Sequence, residues 1–137
     1  KHVIANVHSG WKGTVQKIAS KTIDKMQEQY NCNPKDIICC ISPSIRECHF
    51  EVDQDVKDAF LEAFPKETDS IKQAHEKWHI DTARINIEML KEKGLREENI
   101  IDSKICTVCN CSQIHSYRGS KHHNGLEMGI LELKGMI

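Results

Sequence analysis

Apolar residues along this 137-residue chain fall into short runs and into spacings of three and four, and the two patterns alternate. Val3, Ile4, Ala5 and Val7 form a mostly apolar run, which predicts a buried strand. Gly10 and Gly13 end it, and Thr14 stands where a helix N-cap belongs. Val15, Ile18, Ala19, Thr22, Ile23 and Met26 share one face of an amphipathic helix that ends near Tyr30 and Asn31. Asn33-Pro34 turns the chain into a second predicted strand, Ile37 to Ile41. Strand, helix and strand in that order predict a crossover unit within one sheet.

The second half continues the alternation. Ser42-Pro43-Ser44 ends the strand, and Phe50-Glu51-Val52 reads as a short extended piece. Asp53 predicts the cap of a helix with Val56, Ala59, Phe60, Ala63 and Phe64 facing inward, stopped by Pro65. Residues 66 to 78 are mixed and read as a short helix or loop. Asp81 predicts the cap of a further helix, with Ala83, Ile87 and Leu90 inside and Gly94 as its end signal. Ile100, Ile101 and Ile105 predict a strand. Ile114 to Tyr117 and Met128 to Leu133 predict two more, joined by the turn-rich "GSKHHNG". The expected fold class is α+β: mixed β-sheets covered by helices, in one domain spanning 1–137.

Composition narrows the function classes. Nineteen basic and 20 acidic residues leave a formal net charge of −1, with no basic block of the kind that binds nucleic acid. No run reaches the roughly 18 apolar residues a membrane span requires. The chain opens on Lys1 and His2 without the pattern of a signal peptide, and Lys1 is no initiator methionine, so the expectation is that residues precede it. The seven cysteines are Cys32, Cys39, Cys40, Cys48, Cys106, Cys109 and Cys111. Their odd number favours free thiols and a reducing, cytoplasmic compartment.

Four segments concentrate chemistry. In "HSGWKGT", His8 falls where a strand would leave its sheet, and a neutral imidazole there is a zinc or copper ligand. The two glycines permit close approach, Lys12 adds charge, and Trp11 packs either in the core or on a base. A capped turn with a hydrogen-bonded histidine is the structural alternative. In "ISPSIRECHFEV", Cys48 is a candidate nucleophile or metal ligand beside Arg46, His49 and the acidic residues. In "CTVCNC", Cys106 and Cys109 have metal-ligand spacing, and Cys111 and His115 are available to complete four ligands, with His122 and His123 following. In "HSYRG", Arg118 offers a planar fork suited to phosphate or carboxylate, or else a surface ion pair.

Taken together, "VHSGWKGT", "ISPSIRECHFEV", "HIDTARINIEMLKEKGL", "ICTVC" and "IHSYRG" resemble the YfiH-type proteins, long labelled multicopper polyphenol oxidases or laccase domains. The resemblance runs from His8 to Leu133 and is most specific around His8. It implies a layered α/β/β/α fold, of which this chain is the C-terminal portion. It also implies a purine nucleoside phosphorylase with adenosine deaminase and methylthioadenosine phosphorylase activity, acting on purine nucleosides and phosphate. The metal it implies is zinc, or copper on the older label, held by two histidines and a cysteine. His8 maps to one of these ligands, and the other two map upstream of Lys1. Lys12, Arg46, Arg118 and the N-terminus of the helix after Thr14 are the groups available to an anion. The sequence departs from the family at Asn124-Gly125-Leu126, where the family's arginine is missing, at Ile114-His115 in place of aromatic residues, and at Cys109 and Cys111. The competing readings are copper-dependent phenol oxidation, a non-catalytic Cys/His metal-binding module, and a cysteine hydrolase using Cys48.

Overall fold

Two hydrophobic clusters organise the molecule, and two helices contribute to both. The computed structural model describes residues 1–120 and 125–135. Helix α1 spans Trp11–Val15 and α2 spans Ile18–Tyr30. Strands β1, Cys39–Ile41, and β2, Glu51–Val52, follow. Then come α3 at Gln54–Ala63, β3 at Ile71–Ala74, β4 at Lys77–Ile80, α4 at Thr82–Glu92 and β5 at Ile100–Asp102. The larger cluster joins Phe50 and Val52 around β2 to Phe60 and Phe64 of α3, Ile80 of β4, and Ile85 and Met89 of α4. The smaller joins Ile23 of α2 to Leu90 of α4 and Leu95, with Cys39 and Ile100 packed beneath. Phe60, Ile80 and Ile85 are completely buried. Burial of each side chain of this size is worth about 1.5–3 kcal/mol against the entropy of ordering the chain.

The strands form one parallel and one antiparallel sheet. β1 pairs with β5 in parallel, Cys39 opposite Ile100 and Ile41 opposite Asp102. β4 lies between β2 and β3, antiparallel to both. Helices cover both sheets, as the expected α+β class requires. The connectivity differs from the expected strand-helix-strand crossover. Among the described residues β1 takes β5 as its partner, and the chain between them carries α3, the hairpin and α4.

Other local expectations are corrected for identifiable reasons. Residues 3–7 form no strand, because a strand needs a lateral partner and none pairs with them among the described residues. Val3, Ile4 and Ala5 instead line a groove with Ile18, Thr22 and Met26 of α2. Residues 114–117 form no strand, running from a bend at Ile114 into a turn that starts at Tyr117, and 128–133 run without ladder pairing, although the Asn6 side chain donates to the Gly129 carbonyl. Residues 121–124 of "GSKHHNG", with His122, His123 and Asn124, lie outside the described residues. Thr14 is not an N-cap: it sits inside α1, completely buried, and Gly10 holds the cap position. The predicted long helix breaks at Lys17, whose φ of 59° is left-handed. Residues 71–80 form a hairpin rather than a helix or loop, turning at His75 with φ 57°. Asp81 accepts a hydrogen bond from the Arg84 N–H at 2.9 Å, as an N-cap does. Gly94, at φ 90°, ends the segment in a conformation that favours glycine.

Candidate functional site

The turn that carries His8 is held from below by α4. Ser9 Oγ donates to Asn86 Oδ1 at 2.9 Å and lies 3.0 Å from Thr14 Oγ1. Thr14 Oγ1 donates to the Gly10 carbonyl at 2.9 Å, and the Asn86 amide is fixed on the Thr82 carbonyl at 2.8 Å. The polar residues of the turn are thus satisfied internally, which leaves its outer face to His8, Trp11 and Lys12. All three are exposed. Trp11 is 36% exposed, with Lys12 Nζ 5.5 Å from its ring centroid, so it is not the core residue its size suggested. The His8 ring folds over Gly10: a Cβ there would stand 2.9 Å from His8 Nε2. Glycine at position 10 is what makes room for the imidazole.

A second gathering forms at the C-terminal end of β1. Ser44 bridges to Cys106, with Ser44 N–H donating to the Ile105 carbonyl at 3.1 Å and Thr107 N–H to Ser44 O at 3.1 Å. This bridge brings the "IRECH" turn against "CTVC". Cys48, His49, Cys106 and Cys109 then place their donor atoms within 4.8 Å of one another. His49 Nδ1 lies 3.2 Å from Cys48 Sγ, 3.5 Å from Cys109 Sγ and 3.7 Å from Cys106 Sγ, and the sulfurs of Cys48 and Cys109 are 3.8 Å apart. Desolvation opposes ionisation of Cys106, yet hydrogen bonds from the backbone N–H groups of Cys109, Arg46 and Val108 outweigh it and hold the thiol down at about 6. Desolvation and the two neighbouring thiols push Cys48 up to about 12.

The arginines singled out from the sequence have structural partners. Arg46 makes a two-pronged ion pair with Asp102, at 2.7 and 3.0 Å, and both side chains are largely buried. Its remaining donors reach the carbonyls of Ser42 and Ile105 and the hydroxyl of Ser103. Asp102 loses solvation, but the guanidinium and the Lys104 N–H outweigh that loss and depress its carboxyl pKa. Arg118 lies 5.1 Å from the Phe50 ring centroid and donates to the carbonyls of Glu51 at 2.6 Å and His49 at 3.2 Å. Both arginines therefore brace the turn bearing Cys48 and His49. An open cleft of about 460 Å³ adjoins it, lined in part by Cys48, Arg46, Arg84 and Lys104.

The two gatherings sort the expected residues differently from the sequence. Cys106 and Cys109 meet Cys48 and His49, not Cys111 and His115. His8 stands apart: among the described residues the cluster of potential ligands does not include it. Among the described residues His8 therefore stands as a single donor, short of the three or four protein ligands a zinc site takes. Asn86, Ser9 and Asp102 were not foreseen. Asn86 lies 77 residues from Ser9, and nothing in their local patterns joins them.

The fold is a mixed α+β one whose loops gather Cys48, His49, Cys106 and Cys109 into a candidate site for a transition metal. The family model described as multi-copper polyphenol oxidoreductase laccase matches residues 1–134, and the chain belongs to this family, the YfiH-type proteins. It is 32% identical over 136 residues to the purine nucleoside phosphorylase YlmD of Bacillus subtilis, covering 98% of this chain and 49% of that protein. Over 118 residues it is 32% identical to the adenosine deaminase RL5 of an unknown prokaryotic organism, covering 85% of this chain and 45% of that one. The crystal structure of the YfiH protein of Bacillus licheniformis superposes with a TM-score of 0.77 at 29% identity, covering 84% of this chain and 44% of that chain. The chain spans about half the length of the curated relatives it matches. No helix among the described residues is long and apolar enough to cross a membrane.

Proposed function

We propose that this chain is the C-terminal portion of a larger YfiH-type domain that processes purine nucleosides in the cytoplasm. The reactions are phosphorolysis of nucleosides, methylthioadenosine included, and deamination of adenosine. The observation that carries the reading is the His8 turn: its imidazole is exposed, seated over a glycine and buttressed by Ser9, Thr14 and Asn86. The relatives' names supply the reaction class. On this reading His8 gives one imidazole to zinc, and donors outside this chain complete the set.

Phosphorolysis forms a bond from phosphate oxygen to the sugar C1′ as the bond to the purine nitrogen breaks, releasing the free base and a sugar 1-phosphate. Deamination replaces the exocyclic amine with oxygen from water and releases ammonia. The phosphate requires a cation near the site, and Lys12, exposed beside His8, is the proposed contact. Arg118 has an exposed outer edge for the same role. Arg46 also lines the neighbouring cleft, but its nitrogens already serve Asp102 and the loop, so we assign it to positioning.

The test is turnover by the full-length protein supplied with adenosine, inosine or methylthioadenosine, with and without phosphate. Phosphate-dependent release of free base is expected, with a loss of at least about a hundredfold in His8→Ala, the scale set by removing a group that positions the reacting centre. Oxidation of a phenol on copper loading, with no nucleoside turnover under any metal, would replace this reading with the one in the family's older description.

A further inference from the structure

We infer that Cys48, His49, Cys106 and Cys109 form a closed, structural zinc site of Cys₃His type, separate from the metal position assigned to His8. The inference does not depend on the nucleoside reading. Its first support is the shape of the donor set. Tetrahedral zinc with bonds of about 2.3 Å to sulfur and about 2.0–2.1 Å to nitrogen separates its ligand atoms by about 3.8 Å for sulfur pairs and about 3.5 Å for sulfur and nitrogen. The Cys48–Cys109 sulfur pair stands at 3.8 Å, and the three sulfurs lie 3.2, 3.5 and 3.7 Å from His49 Nδ1. Four of the six edges thus match such a tetrahedron, and the two remaining sulfur pairs, both from Cys106, lie within 4.8 Å.

The second support is the surroundings. Cys106-Thr-Val-Cys109 is a closed turn: the Asn110 N–H donates to the Cys106 carbonyl at 3.2 Å and the Asn110 side-chain amide donates to it at 2.8 Å, which fixes the backbone that carries both sulfurs. The opposite pair of ligands sits on a turn braced by Arg46 on Asp102 and by Arg118 on the His49 carbonyl. Three thiolates and one Zn²⁺ would give the site a net charge of −1. Four protein donors leave no open coordination position, which is the mark of a structural rather than a catalytic zinc. The clasp would join segments 61 residues apart and secure the Cys106–Cys109 turn to the end of β1.

Elemental analysis and cobalt substitution of the full-length protein, purified under reduction, test the assignment. We expect intense thiolate-to-cobalt charge transfer and tetrahedral ligand-field bands in the wild type, and both should persist in His8→Ala, which removes only the other metal position. Cys106→Ser should lose one bound zinc and most of the charge transfer. Cys109→His, which keeps four donors, should retain the tetrahedral bands while the charge transfer falls by about a third as three thiolates become two. That variant remains informative if Cys106→Ser fails to fold. Equal charge transfer in Cys109→His and wild type, its absence from the wild type, or its loss in His8→Ala would overturn the proposal. So would a Cys48–Cys109 disulfide with no zinc in freshly reduced and reloaded protein.

Discussion

Asp102 carries more of the local architecture than its place at the end of a short strand suggests. It takes two hydrogen bonds from Arg46 and one from the Lys104 N–H, with both members of the ion pair largely shielded from water. Asp102→Asn should cost about 3 kcal/mol in urea denaturation, because it leaves the guanidinium without its counter-charge. The acid dependence follows from the sign of the shift. The folded carboxyl pKa is depressed, so the contribution is complete above the unfolded value and is lost as pH falls through the folded one. The wild type should therefore lose stability relative to Asp102→Asn on acidification from pH 5 toward 2. A flat difference across that range would remove the ion pair from the account. Gly10 offers a cleaner separation of folding from activity. Its φ of −65° and ψ of 173° suit alanine, so Gly10→Ala should leave stability within about 1 kcal/mol of the wild type. The new methyl would displace the His8 ring, and nucleoside turnover should fall at least about tenfold. Sequence reading singled out His8, Lys12, Arg46 and Arg118 as candidates because cationic and imidazole side chains beside predicted turns suit anions and metals. It did not find the partners that occupy Arg46, since an ion pair over 56 residues has no local signature.

Elements were legible in proportion to how locally they are determined. α3 and α4 follow from their apolar spacing and from Asp53 and Asp81, yet those two aspartates do different work. Asp81 receives the Arg84 N–H, whereas Asp53 makes no capping bond and pairs with Lys77 on the surface. Asp81→Ala should destabilise by about 1 kcal/mol and Asp53→Ala by a few tenths, read from thermal or urea unfolding. Equal losses would mean that the capping geometry is not what distinguishes them. The β3–β4 hairpin was missed because its turn lacks the Asn-Gly or Asp-Gly pair that marks such connections, and His75 takes the left-handed conformation instead. Residues 3–7 and 128–133 failed for the opposite reason. Their composition suits strands, but a strand is defined by its neighbour, and a sequence pattern does not supply one.

At the scale of the molecule, the α+β class was legible from the alternation of helix and strand patterns, and the joining of distant segments was not. The two cysteine-bearing motifs read as separate constellations until the Ser44–Cys106 bridge placed them side by side. The turn of His8 is likewise anchored to a helix that follows it by some seventy residues, through Ser9, Thr14 and Asn86. That anchoring fixes an order of assembly. As the chain leaves the ribosome, the hydrogen bonds that link Ser9 and Thr14 to Asn86 cannot form until α4 has been synthesised and has docked, and β1 waits longer still for β5. The histidine is translated early but shaped late. Early folding intermediates should hold a preformed α2 beside an unbuilt turn, so competence to bind its ligand should arrive only with the last cooperative step of folding.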